Sequence, residues 1–321
     1  MTPQKIVIDA DPGIGDALAI ALALIDPGLE VVGLTAVPGI VSGEQASRNL
    51  QTILSVIDPA LWPRLGWNEG IDSLLPRSQQ TGLLLPPGPA GLGDLQPLEA
   101  PLHQPHEAAK LLTELAKQYP GEITLLTLGP LTNVLLAMER YPEFLPQLKG
   151  LICLGGSVSA GGDITAAAEF NVYANPEAAQ TVLTFPATKT IVPLDVSRQM
   201  VLSFDQYDRL GIDQYTRVGQ LLTALLPYGL RESRQCFGLE GLVLPEVVAL
   251  AAVTQARLFE RESMLLDVEL AGELTRGATI VDRRGIHRWQ ANLDVLTAVD
   301  AQGVMDYVTR LLRLVMPGSG G

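Results

Sequence analysis

Cysteine is scarce in this chain of 321 residues: Cys153 and Cys236 are the only two. Two thiols make no disulfide framework, and the expectation is reduced, buried cysteines. Positive charge is also in short supply. Lys and Arg number 22 against 35 Asp and Glu, a formal net charge of -13. Such a surface repels phosphate backbones and anionic headgroups, so neither nucleic acid nor membrane is an expected partner. Long apolar runs are missing: ALAIALALI is too short to span a bilayer, and ITLLTLGPLTNVLLAM is interrupted by Gly129-Pro130. The opening MTPQKIVIDAD lacks the basic-then-apolar layout of a signal peptide. A cytoplasmic location is expected. The chain also shows no internal repeat and no linker.

What is present is a regular alternation. KIVIDAD reads as a strand and GDALAIALALID as a helix; EVVGLTAV reads as a strand and SGEQASRNLQTILSVI as a helix. HEAAKLLTELAKQY, EITLLTLG, LTNVLLAMERY, LKGLICLGG, PEAAQTVLTF and TKTIVPLDV continue the pattern. Apolar strands separated by helices imply an α/β fold, with a mostly parallel central sheet flanked by helices. From Ser203 the pattern turns helical, before three late strands and a final helix. Between Arg64 and Pro101 the chain is rich in Pro and Gly, which marks a long, functional or flexible loop. One large domain over residues 1–316 is expected, with 317–321 as a flexible tail.

The first strand-to-helix junction, DADPGIGD, carries Asp9, Asp11 and Asp16. Alternation along a strand sends Asp9 and Asp11 to one side, and Asp16 falls in the first turn of the next helix. All three are expected at the carboxyl end of a strand, where open α/β sheets place ligands. A single aspartate there is explained by helix capping. Three together repel one another, and a hard divalent cation with oxygen ligands removes that cost. No Cys or His lies nearby to suggest zinc, which leaves calcium or magnesium.

DADPGIGDALAI resembles the amino-terminal aspartate motif of the inosine–uridine-preferring nucleoside hydrolases. GPAGLGDL, LTLGPLTNVLLAM, LICLGGSVSAGGDITAAAEFNVYANPEAA, VPLDVS and PEVVALAAVTQARLF resemble further segments of that family in the same order. The resemblance implies hydrolysis of the N-glycosidic bond of a ribonucleoside, giving base and ribose, with calcium rather than magnesium holding the water. It implies that Asp11 is both metal ligand and general base, and that Asp16 is a bidentate ligand. Thr132 matches a residue that ligates through its main-chain carbonyl, and Glu246 stands at the position of a metal-binding aspartate. Glu169 and Asn171 match residues that contact ribose hydroxyls. Asp163 stands near the ribose 5′ end, and Asp9 matches a supporting aspartate. A homodimer or homotetramer is also implied.

Departures from the family pattern fall among these same residues. Gly15 replaces an aspartate that contacts the ribose 2′-hydroxyl, and Ile40 and Asp163 replace asparagines. Pro87 and Pro245 replace histidines, and Glu246 replaces aspartate. The expected consequence is altered substrate choice. The alternatives are hydrolysis of a different ribosyl or glycosyl compound, or a non-catalytic ligand-binding descendant. Tyr228, Arg231 and Arg234 lie at helical spacing and could serve the leaving group, or simply form a solvated helix face. His103, His106 and His287 are expected at the surface. GLGDL and GGSVSAGG lack phosphate-loop spacing and read as flexible rims that close over substrate. Asn175 reads as a helix cap.

Overall fold

The computed structural model describes residues 2–68, 85–97, 105–284 and 290–315. His103, His287 and the 317–321 tail lie outside them.

The chain starts as β1 (Gln4–Ala10), α1 (Ile14–Ile25), β2 (Leu29–Ala36), α2 (Gly43–Ile57), β3 (Arg64–Trp67) and the two-residue β4 (His106–Glu107). It continues as α3 (Ala108–Gln118), β5 (Thr124–Thr127), α4 (Thr132–Arg140), β6 (Gly150–Leu154), α5 (Phe170–Ala174), α6 (Pro176–Thr184), β7 (Lys189–Val192) and α7 (Leu194–Ser197). The last third runs β8 (Val201–Ser203), α8 (Phe204–Arg209), α9 (Arg217–Phe237), β9 (Gly241–Val243), α10 (Pro245–Thr254), β10 (Phe259–Met264), β11 (Leu266–Val268), β12 (Thr279–Val281), β13 (Leu293–Val299) and α11 (Ala301–Val315).

Among the described residues the main sheet has nine strands in the order β10-β13-β7-β6-β5-β1-β2-β3-β4. Every pairing is parallel except β10 with β13. Both faces are covered, as buried parallel strands require. Ile6 and Ile8 of β1 face a core built with α1, α2, α9, α10 and α11. Val7, between them, faces a second core with α3, α4 and α6. Alternation along one strand thus feeds two apolar layers.

The order of the strands fixes where a ligand belongs. From β1 the chain moves outward through β2, β3 and β4, then returns to place β5 on the other side of β1. The connections leave β1 and β5 in opposite directions, which opens a crevice at their carboxyl ends.

Three expectations need correction. TKTIVPLDV is not one strand: β7 stops at Val192, and Leu194–Ser197 is a helical turn. Pro193 has no N–H to continue the ladder. The Pro- and Gly-rich stretch begins with a real strand, Arg64–Trp67, paired with β2. The thiols split: Cys153 is buried, with burial pushing its pKa up to about 12, while Cys236 is exposed. His106 is exposed as expected, on edge strand β4.

Candidate active site

A cavity of about 440 Å³ opens at that switch point. Asp11 lies just past β1, Leu128 past β5, Leu154 and Gly155 at the end of β6, and Val192 and Leu194 at the end of β7. All of them line it. The starts of two helices complete one side: Gly13, Gly15 and Asp16 of α1, and Pro245 and Glu246 of α10.

Asp11 is held tightly. Its Oδ2 accepts a hydrogen bond from Ile40 N at 2.8 Å. A Cβ on Gly39 would lie 2.0 Å from Oδ2, and one on Gly129 would lie 2.6 Å from Oδ1. Glycine at both positions is what lets the carboxylate sit between them. Asp16 has two roles. Its Oδ2 accepts from Gly13 N at 2.9 Å and caps α1. Its Oδ1 is buried with no protein partner. Capping therefore accounts for one oxygen and leaves the other for a ligand.

Crowding in a dry crevice drives the electrostatics. Burial, then the charge of Asp16, holds the Asp11 carboxyl well above its ordinary range. Burial raises Asp16 to about 6. Burial, then Asp16, raises Glu246 to about 8. Three carboxyls thus share one crevice at a cost that a cation would cancel.

Asp9 does not join them. The strand sends it beneath the site, fully buried, where its Oδ1 accepts from Thr35 Oγ1 at 2.6 Å and Asn133 Nδ2 at 2.7 Å. Asn133 Nδ2 also reaches Ala36 O at 2.9 Å, and Asn68 donates to Asn133 Oδ1 at 2.6 Å. Burial raises Asp9 to about 7. It braces β1, β2 and α4 together. The motif LTN carried the one signal for Asn133, but nothing local pointed to Asn68 or Thr35.

Thr132 is also placed away from the carboxylates. It opens α4, does not line the cavity, and its Oγ1 accepts from Asn175 Nδ2 at 3.0 Å. Leu128, just past β5, lines the cavity with Asp11, and its main-chain carbonyl accepts from Asn171 Nδ2 at 2.7 Å with one lone pair to spare. Asn175 caps α6 through Oδ1 to Ala178 N at 3.1 Å, as its position before Pro176 predicts.

Opposite the aspartates stand Asp163, Glu169 and Asn171. Glu169 Oε2 accepts from Gly156 N at 2.8 Å and Val172 N at 3.1 Å, which caps α5. Burial, then the charge of Asp163, raises Glu169 to about 8. Asn171 gives both amide protons away, to Leu128 O at 2.7 Å and Leu154 O at 3.0 Å. Its Oδ1 is the end left for a ligand. Asp163 Oδ1 accepts from Phe170 N at 2.8 Å, and Arg198 stands 3.9 Å from its Oδ2. Burial raises Asp163 too, partly offset by Arg198. Arg198 had no sequence signal as a site residue.

The six departures from the family motif all line this one cavity: Gly15, Ile40, Pro87, Asp163, Pro245 and Glu246. The helix-face residues do not. Arg231 pairs with Asp94 at 3.2 Å and stacks on Tyr228, and Arg234 pairs with Glu240 at 3.5 Å. The solvated-face reading is the correct one; the cavity takes Ser233 and Phe237 from α9 instead. The two glycine-rich stretches are fastened rather than free. Leu92 is fully buried, and Asn49 Nδ2 holds Ala90 O at 2.8 Å. Asp195 accepts from Val158 N at 2.7 Å and Ser159 N at 2.8 Å.

The donors suit a hard cation: carboxylates of Asp11, Asp16 and Glu246, a free Oδ1 on Asp16, and a main-chain carbonyl. No His or Cys lines the cavity among the described residues. Among them, too, no three Asp, Glu, His or Cys side chains stand so that they could hold a metal ion by themselves. Carbonyl oxygen and solvent would have to complete the shell, as they do for calcium. No described helix is long and apolar enough to cross a membrane.

Comparison with known proteins agrees with this geometry. The model of the inosine-uridine preferring nucleoside hydrolase family matches residues 6–306. Uridine nucleosidase 1 of Arabidopsis thaliana is 34% identical over 316 residues, covering 95% of this chain and 92% of the relative. The non-specific ribonucleoside hydrolase RihC of Escherichia fergusonii is 32% identical, covering 96% and 97%. A solved plant nucleoside hydrolase, the PpNRh1 enzyme, superposes with a TM-score of 0.84 at 26% identity, covering 98% of this chain and 100% of that one. With the aspartate motif, the switch-point cavity and near-complete coverage in agreement, this chain belongs to the inosine-uridine preferring nucleoside hydrolase family.

Proposed function

We propose that this N-glycoside hydrolase cleaves the bond between base and ribose in ribonucleosides, using a divalent cation held by Asp11, Asp16, Glu246 and the Leu128 carbonyl. Calcium is favoured over magnesium, because a shell of carboxylates, a carbonyl and solvent on two helix starts suits a larger, less exacting ion. The observation that carries the reading is the buried, partnerless Asp16 Oδ1 among three mutually repelling carboxyls in the switch-point cavity.

When bound, the cation would acidify its water and offset the carboxylate charge. Asp11 is the group to take the proton from that water, since Ile40 N and the two flanking glycines fix its orientation. Water oxygen bonds to the anomeric carbon as the C–N bond breaks, and the base departs with the bonding pair. The carboxylates around the sugar stabilise the positive charge that develops on it. Asn171 Oδ1 and the Glu169 carboxylate accept from sugar hydroxyls and so set its position. The cavity also carries an apolar wall of Ile40, Leu85, Pro87, Leu239, Leu242 and Pro245, which suits the flat face of a base. This apolar wall supports a base preference different from that of relatives with histidines there.

The test is release of reducing sugar from a panel of ribonucleosides, before and after chelation. Activity that is lost with chelator and restored by calcium is expected. A protein that binds calcium but releases no sugar from any of them would overturn the reading. Sedimentation of the same preparation tests the dimer or tetramer that the family implies.

A further inference from the structure

Gly15 occupies the second position of helix α1, and nothing in its backbone requires glycine. Its φ is not in the left-handed region. Alanine is the better helix former at such a site, so glycine there needs another reason.

The reason is on the page. A Cβ built on Gly15 would lie 1.9 Å from Glu246 Oε2, 2.3 Å from its Cδ and 2.7 Å from its Oε1. The Glu246 carboxylate therefore lies flat across the start of α1, in the space a side chain at 15 would fill. Helices α1 and α10 pack together, and Glu246 is likewise at the second position of its helix. Both residues line the cavity. Two helix starts interlock: one sends out a long acid, and the other has no side chain to obstruct it.

We propose that Gly15 and Glu246 form one functional unit, in which the missing side chain at 15 lets the longer acid lie over α1 and face both the cation and the sugar. One carboxylate then does what would otherwise take two, one from each helix. Any side chain at 15 would displace Glu246 from that space. Glu246 is thereby the residue that distinguishes a sugar with a hydroxyl beside the cleaved bond from one lacking it. The inference rests on the reading under Proposed function for the identity of cation and sugar, but the space claim stands apart from it.

The test is a double-variant cycle on the full chain: Gly15→Ala, Glu246→Asp and both together. Read the melting temperature without metal, then calcium affinity by titration calorimetry. Gly15→Ala should lower the metal-free melting temperature despite the better helix former, and weaken calcium binding about tenfold or more, as loss of a positioned ligand does. The double variant should bind calcium more tightly than Gly15→Ala alone, because Asp withdraws from the added methyl. Losses that simply add, or a Gly15→Ala protein with unchanged melting temperature and affinity, would overturn the unit. A third variant, Glu246→Gln, keeps length and removes charge. Its ratio of kcat/KM for a ribonucleoside over the 2′-deoxyribonucleoside should fall about tenfold or more, the scale set by a lost hydroxyl contact. An unchanged ratio would overturn the sugar half. Wild-type protein that binds no calcium and cleaves no nucleoside defeats the functional reading instead, while the metal-free melting cycle still decides the space claim.

Discussion

Asp9 and Asp11 are two positions apart at the end of β1, yet they sit in opposite surroundings. Asp9 is sealed under the site, and one of its oxygens is taken by Thr35 and Asn133. Asp11 stands past the strand end, flanked by Gly39 and Gly129, and lines the cavity. The strand repeat gives both the same side, but β1 ends between them at Ala10. Identical side chains become a brace beneath the cavity and a lining group within it according to whether the chain still has a neighbour to pair with.

The comparison can be broken directly. Asp11→Ala should reduce kcat by roughly 10²- to 10⁴-fold, the range for losing a general base, and should abolish any calcium-induced rise in melting temperature. A variant within a few-fold of wild type would remove Asp11 from the chemistry. Asp9→Ala should do the reverse. It strands the Thr35 hydroxyl and an Asn133 amide proton, costing about 1–3 kcal/mol for each unsatisfied group. Denaturant unfolding should register that loss, while activity per folded molecule stays close to wild type. Equal activity losses in the two variants would erase the distinction.

A smaller effect follows from pH. Asp9, Asp16, Glu169 and Glu246 are all raised by burial, to between about 6 and about 8. Between their ordinary and raised values the native state holds more protons than the unfolded chain, so stability falls as pH rises through that window. Metal-free protein should therefore melt at progressively lower temperature from about pH 5 to pH 8, and calcium should flatten the slope for the groups it contacts. Melting temperature that climbs over this range without metal would contradict the burial described. Smallest of all is Thr132→Ala. It loses one bond to Asn175, costing about 1 kcal/mol, and should leave calcium affinity unchanged. A large loss of affinity would return Thr132 to the cation shell.

Much of this could be read before any coordinates. The alternation of apolar runs was enough for the parallel sheet, because buried strands and their covering helices differ in period and length. DADPGIGD was enough for Asp11 and Asp16, since both are fixed by local geometry at one junction. Leu128 rather than Thr132 lines the cavity, and no pattern pointed to it, because a carbonyl donor is a main-chain atom and leaves no residue type to find. Arg198 and the Asn68–Asn133 pair join segments distant in the chain, and no local pattern encodes them. GLGDL and GGSVSAGG read as mobile because glycine permits motion. Asn49, Tyr228 and Asp195 hold them from elsewhere in the chain.

Asn171 has a consequence for how this enzyme can change over time. Its two amide protons clamp the ends of β5 and β6 through Leu128 and Leu154. A mutation that changes this cavity-lining side chain also unties two adjacent strands. The side chains of Ile40, Pro87 and Pro245 hold up no such joint. Change on this scaffold is therefore cheap at Ile40, Pro87 and Pro245, and dear at Asn171, where a new side chain must also replace two ties between strands.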